Sequence, residues 1–315
     1  MSQEIIITEE DRKKFKRLDA FLVAKYPHLS RSLIKKYFDD GVFESKSKIE
    51  LKKMPIAGTS IFFHEPIAKD TSLEPQNIPL EILYEDEFLL IINKQAGLVV
   101  HPAPGNPDQT LVNAILWHCP DLKGIGNEKR PGIVHRLDKG TSGIMVVAKE
   151  QKTHEGLVEL FREHDIQRKY QAICLGNKIQ DQTIESTIGR NPQNRLKMKS
   201  NVKNGKNAIT HLKVLEYFNY FSHVELTLET GRTHQIRVHL SQDLNSPILN
   251  DHTYGRNKEE KQFLPNQIKG LISDYEYPFL HAKILGFTHP ITKKELFFEA
   301  NPPTLFSQVL DGFRQ

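Results

Sequence analysis

Apolar positions in this 315-residue chain change their period partway along. Leu18, Phe21 and Leu22 recur at helical spacing over residues 16–25, and Tyr26-Pro27 closes that helix. Ser30 is expected to cap a second helix over 31–40, with Leu33, Ile34, Tyr37 and Phe38 on its apolar face and Gly41 as its stop. Residues 42–63 read as strand, turn, strand. Beyond residue 80 the periods mix. Residues 88–93 and 144–148 are apolar, β-branched runs of the kind that form buried strands. Residues 168–175 alternate, with Tyr170, Ala172 and Cys174 on one side, and 223–229 alternate too. Helices are expected at 110–118, around Leu157, Leu160, Phe161 and His164, and from a Thr233 cap through Leu240. There is no βαβα series with glycine-rich phosphate loops, which speaks against a doubly wound nucleotide-binding sheet.

The change of period coincides with a change of composition. Residues 65–79 hold three prolines and few apolar residues, and read as a linker between a domain at 1–64 and one at 80–315. The net charge of +4 is unevenly spread. Residues 11–69 carry 14 Lys/Arg against 7 Asp/Glu, whereas 70–315 carry 29 of each sign. A small basic module beside a neutral larger domain fits a polyanion-binding accessory; a solvated lysine-rich surface fits equally on charge alone. No window nears the ~20 consecutive apolar residues of a membrane helix. The N-terminus has no basic region ahead of its short apolar run, so it does not read as a secretory signal. Cys119 and Cys174 are too few and too far apart for a disulfide framework or a zinc knuckle. A cytoplasmic location is expected.

The chemistry concentrates in Gly132-Ile-Val-His-Arg-Leu-Asp-Lys-Gly-Thr-Ser-Gly143. Asp138 lies there between Arg136, Lys139 and a Gly-Thr-Ser-Gly turn, in a loop leading into the 144–148 strand. With Asn93-Lys-Gln-Ala-Gly-Leu-Val-Val-His-Pro102, Gly231-Arg-Thr-His-Gln-Ile-Arg-Val-His-Leu240, and Leu280-His-Ala-Lys283 followed by Phe287-Thr-His-Pro290, this segment resembles the RluA-type family of pseudouridine synthases. The likeness spans roughly residues 80–302, with the four segments in family order. Two positions depart from the family pattern. Lys94-Gln95 stands where Lys-Pro is usual, and Asn250-Asp251 stands where Gly-Asp precedes Tyr254-Gly255. Both bear on loop geometry.

The resemblance implies an α+β fold, with a central, largely antiparallel mixed sheet flanked by helices. It implies isomerisation of uridine in structured RNA, with no redox change, no hydrolysis, no cofactor and no metal. Asp138 is then the catalyst, acting as nucleophile or stabilising charge at the anomeric carbon. Arg237 is its cationic partner, apt because arginine stays charged and can bind a carboxylate through two hydrogen bonds. Tyr170 stacks on the uracil and takes part in proton transfer at carbon 5. Arg136 fills the space left by a flipped nucleotide. Read without the family, Asp138 is a surface ion pair, Tyr170 is strand packing and Arg136 is an ion pair.

Residues 15–63 resemble the alpha-L RNA-binding module (S-four type), which implies a small N-terminal α/β domain presenting Arg31, Lys35 and Lys36 to phosphates. Further RNA contacts are expected from Arg232 and from Arg190, Arg195, Lys197 and Lys199, in the acid-free stretch 190–206, read as an exposed hairpin. Arg17-Leu18-Asp19 repeats the letters of the 136–138 motif inside a helix, where Asp19 has a structural role. His234 and His239, five apart with no third ligand, read as capping and packing residues. Large-subunit ribosomal RNA is the favoured substrate, tRNA is possible, and the protein is expected to be a monomer. Two other readings stay open. One is a non-catalytic RNA-binding or assembly factor on the same fold. The other is a hydrolase using Asp138 as general acid, for which no second carboxylate offers itself.

Overall fold

The computed structural model describes the chain apart from residues 1, 27, 28, 30, 65–72, 104, 123, 128, 129 and 195 and, for side chains, also 2, 32, 33, 36, 127 and 257. The expected Ser30 cap, residues 65–72 of the linker, Arg195 and the side chains of Leu33 and Lys36 lie outside the described residues. The chain divides into two compact units, 1–72 and 73–315.

In the first unit three strands, β1 (Ser2–Ile6), β2 (Phe43–Glu44) and β3 (Ser60–His64), form an antiparallel sheet in the order β1-β3-β2. Helices α1 (Glu9–Lys14), α2 (Leu18–Lys25) and α3 (Arg31–Asp39) accompany it. Leu18, Phe21, Leu22 and Ile34 pack with Ile5, Phe43, Ile61 and Phe63 in one core. The rings of Phe43 and Phe63 stack at 4.7 Å. Two elements lie outside the sequence reading. Ser2–Ile6, with Ile5 and Ile6 of the apolar run, pairs as an edge strand. Thr8 and Asp11 form a reciprocal capping box that starts α1.

The second unit is built on ten strands: β4 (Glu81–Glu85), β5 (Leu89–Lys94), β8 (Ser142–Ala148), β9 (Gln167–Leu175), β10 (Gln182–Arg190), β11 (Met198–Ser200), β12 (Lys206–Tyr217), β13 (Phe221–Leu228), β14 (Leu280–Thr288) and β15 (Glu295–Glu299). Their order is β11-β10-β12-β13-β9-β14-β8-β5-β4, with β15 on the far half of β14. Every pairing is antiparallel except β8 with β14. A short ribbon, β6 (Gly126–Asn127) with β7 (Arg130–Pro131), stands apart. Helices α4 (Leu111–His118), α5 (Gln151–Glu163), α6 (Gln235–Val238), α7 (Asn257–Phe263), α8 (Asn266–Leu271) and α9 (Thr304–Arg314) complete the unit. The fold is the expected α+β arrangement.

Continuous apolar runs are explained by cover on both faces of the sheet. Leu90, Ile92, Met145 and Val147 enter one core, which Leu111, Ile115 and Val309 share. Leu89, Ile91, Ile144 and Val146 enter another with Leu157 and Leu285. Each of these side chains contributes about 1.5–3 kcal/mol through burial. Two-sided cover also alters the β9 reading. Its burial runs through both faces from Tyr170 to Leu175, instead of one side only. Residues 73–79, read as linker, belong to the second unit: Asn113 Nδ2 donates to the Glu74 carbonyl at 2.8 Å, and Gln76 N–H to the Asn113 carbonyl at 3.0 Å.

Candidate active site

The four sequence segments meet at the parallel β8–β14 pair. Gly143 sits opposite Ala282 there with φ +122°, and a Cβ on it would lie 2.3 Å from the Ala282 carbonyl oxygen. Glycine is required both for the backbone angle and for the approach. The His281 ring bridges the same place: Nε2 donates to the Ala300 carbonyl at 3.1 Å, leaving Nδ1 to accept from the Ser142 hydroxyl at 2.9 Å. Fixing the start of β8 fixes the loop before it, which carries Asp138. Thr141 N–H closes that loop onto the Asp138 carbonyl at 3.0 Å.

Lys94 supports the loop from beneath. Its buried ammonium donates to the carbonyls of Gln95 at 2.9 Å, Leu98 at 3.0 Å and Lys139 at 3.4 Å, so all three donors are matched. Burial lowers its pKa to about 7, opposed by the charge of Asp138. Gly97 N–H adds a bond to the Lys139 carbonyl at 2.8 Å. The Gln95 that replaces the usual proline therefore keeps its carbonyl in place.

Asp138 opens into a cavity of about 360 Å³ whose lining includes Arg136, Tyr170, Arg232 and Arg237. Its Oδ2 accepts from Arg237 Nη1 at 3.1 Å. Arg237 stands on α6, which does not begin at the expected cap. His234, with φ +57°, caps it instead of Thr233, and the helix passes after Val238 into a π turn instead of running on to Leu240. That short helix turns Gln235, Ile236, Arg237 and Val238 all inward. Burial opposes the charge of Arg237, but its bonds to Asp251 and Asp138 outweigh burial and raise its pKa.

Asp251 is the residue the sequence reading left without a role. It is 1% exposed and grips the far side of the guanidinium, from Nε at 2.7 Å and Nη2 at 2.8 Å. Burial pushes its carboxyl pKa up; the Arg237 bonds and the N–H groups of Thr253 and Tyr254 outweigh burial and leave it below the usual range. The signal was present in the Asn-Asp segment. Asn250 holds φ +63°, the left-handed region where glycine is usual and asparagine is the best-tolerated substitute.

Tyr170 lines the same cavity, and no hydrogen bond to its hydroxyl occurs among the described residues. Burial raises its pKa, and the neighbouring Arg168 cation acts in the opposite sense. Arg136 is exposed at the rim. Arg232 donates from Nε to the Asn207 carbonyl at 2.8 Å. A second, open cavity of about 620 Å³ shares Arg136, Asp138 and Arg237 and adds Tyr277 and Pro278. The segment 257–279, opaque in sequence, thus ends as one of its walls.

The remaining cations divide. Arg190 and Lys199 are exposed on β10 and β11. Lys197 is not a free surface charge: its Nζ donates to the Thr253 carbonyl at 2.5 Å and sits 5.9 Å from the Tyr254 ring centroid. In the first unit Arg31 joins Arg17 in gripping Asp19, and Lys35 pairs with Asp39 at 2.8 Å. Asp19 accordingly has the structural role expected of it, its pKa lowered first by the Arg17 bond. His239 bonds the hydroxyls of Ser186 and Thr210, a packing role as expected. Glu85, His118 and Cys119 come together in the second unit, outside the Asp138 cavity, where Lys149 also occupies Glu85.

A carboxylate held by arginine, in a cavity that a tyrosine also lines, suits attack at a sugar carbon with proton transfer on a base. Known proteins resemble this chain in sequence and in fold. Residues 88–242 match the family model for RNA pseudouridylate synthase. The chain is 40% identical over 316 residues to an uncharacterized RNA pseudouridine synthase of Bacillus subtilis, covering 99% of each. It is 35% identical to the ribosomal large subunit pseudouridine synthase D of Escherichia coli, covering 99% of this chain and 94% of that one. Human RNA pseudouridylate synthase domain containing 4 aligns with a TM-score of 0.59 and 29% identity, over 74% of this chain and 93% of that one. Matching so much of its length in sequence and sharing the fold, the chain belongs to the RNA pseudouridylate synthase family.

Proposed function

We propose that this protein converts uridine to pseudouridine in large-subunit ribosomal RNA, in the cytoplasm, with Asp138 as catalyst. The observation that carries this reading is the Arg237–Asp138 bond, 3.1 Å, at the cavity that Tyr170 also lines. The names of the relatives from Escherichia coli and Zymomonas mobilis favour ribosomal RNA over tRNA.

The roles follow from the chemistry. The bond from N1 to the anomeric carbon breaks, a bond from carbon 5 to that carbon forms, carbon 5 loses its proton and N1 gains one. Arg237 holds one oxygen of Asp138 at 3.1 Å, which aims the carboxylate to attack or stabilise the anomeric carbon. Tyr170 stacks on the uracil, and its hydroxyl relays the proton at carbon 5, giving up its own proton towards the base as it takes that one. Arg136 takes the space of the flipped nucleotide, whose extrusion costs a few kcal/mol. Arg232, Arg190 and Lys199 bind backbone phosphates. The first unit acts as an RNA-binding accessory through Arg31, Lys35 and Lys36.

The test uses RNA from a strain lacking the gene, labelled with tritium at carbon 5 of uridine. Purified protein is expected to release tritium, and Asp138→Asn to lose at least about 10³-fold of that rate. Tritium release by Asp138→Asn at the wild-type rate would remove Asp138 from the mechanism. No release by the wild type from any RNA fraction, immature ribosomal particles included, would favour a non-catalytic RNA-binding role.

A further inference from the structure

We propose that His234, held by Tyr254 with its proton on Nε2, is a positioning residue that orients the Asp138 carboxylate. The inference rests on the Asp138 reading above and adds to it a residue that the sequence assigned only to capping and packing.

The Tyr254 oxygen lies between two nitrogens. Met198 N–H donates to it at 2.8 Å, and His234 Nδ1 lies 2.7 Å away. A backbone N–H can only donate, so the phenol oxygen accepts there and its own proton needs an acceptor. Among the described residues the one within reach is His234 Nδ1. An imidazole nitrogen that accepts carries no proton, so the neutral ring carries it on Nε2. Nε2 faces Asp138, 3.8 Å from Oδ2, on the same oxygen that Arg237 holds at 3.1 Å.

The surroundings favour this state. Burial lowers the His234 pKa and keeps the ring neutral, with the Asp138 charge opposing and the Arg237 charge assisting. The ring is anchored by a left-handed backbone at His234 itself, one residue before the helix that carries Arg237. The Arg237 guanidinium lies 5.1 Å from the centre of the Tyr254 ring. Tyr254 therefore steadies both groups that meet Asp138. Its bond to Met198 also ties this network to β11, the strand bearing Lys199 and preceded by Lys197. At 3.8 Å the Nε2–H does not yet bond the carboxylate. A small movement as the nucleotide enters closes that gap, and the carboxylate is then held from two sides.

Histidine labelled with nitrogen-15 reads the tautomer directly in the full-length protein. The expected result is a protonated Nε2 and an unprotonated Nδ1 at His234, and a mixture of tautomers in Tyr254→Phe. Single-turnover tritium release supplies the second readout. His234→Phe removes the donor and is expected to slow the step by about 10- to 100-fold, the worth of one hydrogen bond to a charged group, with RNA affinity kept. His234→Gln restores an N–H near the Nε2 position and is expected to recover most of the rate. A proton on Nδ1 in the wild type would overturn the proposal, whether or not the variants fold. So would a wild-type rate for His234→Phe while Asp138→Asn is inactive, a result that leaves the Asp138 reading standing. Full activity of Asp138→Asn would remove the Asp138 reading and the role of His234 with it.

Discussion

A single guanidinium serves two carboxylates of different character. Asp251 is buried, doubly bonded to Arg237 and further held by two backbone N–H groups; Asp138 shares one bond and faces the cavity. The first partner fixes the arginine, while the second stays partly open to the cavity. Removing the fixed partner leaves a buried cation oriented only by the group it is meant to orient. Asp251→Asn is therefore expected to cost about 3–5 kcal/mol of stability, measured by urea unfolding, and to slow single-turnover tritium release by about 10-fold or more. A variant that unfolds like the wild type and reacts at its rate would show that Asp251 does not set the arginine. Nothing in the spacing of residues 138 and 237 pairs them, since they lie 99 positions apart, and only the family likeness did so. Asp251 escaped notice because Arg237 already had an assigned partner. A sequence shows which charges exist, while an arginine's capacity for two partners becomes visible only in the fold.

The elements were legible where one local cause decides them. The apolar β-branched runs became β5 and β8, and 110–118 became α4 with a Thr110–Asn113 capping box. What escaped depended on distant partners. Ser2–Ile6 is a strand because β3 offers it an edge. The 190–206 stretch includes the exposed hairpin that the sequence suggested, β10 turning back into β11, but its tie to Tyr254 through Met198 N–H was not legible. The later start of α6, capped at His234 instead of Thr233, follows from the left-handed turn at His234, which no helix signal announces. The β8–β14 junction is the element on which the site most depends, because the Asp138 loop leads directly into it. Gly143→Ala would place a methyl group 2.3 Å from the Ala282 oxygen at a backbone angle that alanine avoids. Strain and overlap together are expected to cost about 3 kcal/mol or more. Urea unfolding checks this, and a loss below about 1 kcal/mol would mean that the two strands part without consequence.

At the scale of the whole molecule, the second unit buries several histidines in its neutral state. Burial is the leading cause in each case, lowering His135 to about 3 and His223 and His281 to about 4. His281 is fully buried with both ring nitrogens committed, and His223 is 7% exposed with Nε2 lacking a partner. In the unfolded chain the same groups titrate near pH 6.5. The sign follows: between pH 6.5 and 4 the unfolded state binds more protons than the folded one, so stability falls as pH falls through that window. It is complete above pH 6.5. For His223 and His281 a shift of about 2.5 units corresponds to at most about 3 kcal/mol each by pH 4. Asp251, held below the usual carboxylate range, adds its own loss at lower pH still. The expectation is a steady decline in the free energy of unfolding between pH 7 and 4. It should set in above the range where carboxylates titrate. His223→Phe removes a titrating group whose ring already packs edge-on against Phe306 at 5.9 Å. It is expected to flatten the decline while leaving stability at pH 7 within about 1 kcal/mol. Urea titrations of both proteins at pH 7, 5.5 and 4.5 decide the matter. Parallel curves would show that His223 already carries its proton in the folded state, or never takes one up in the unfolded chain.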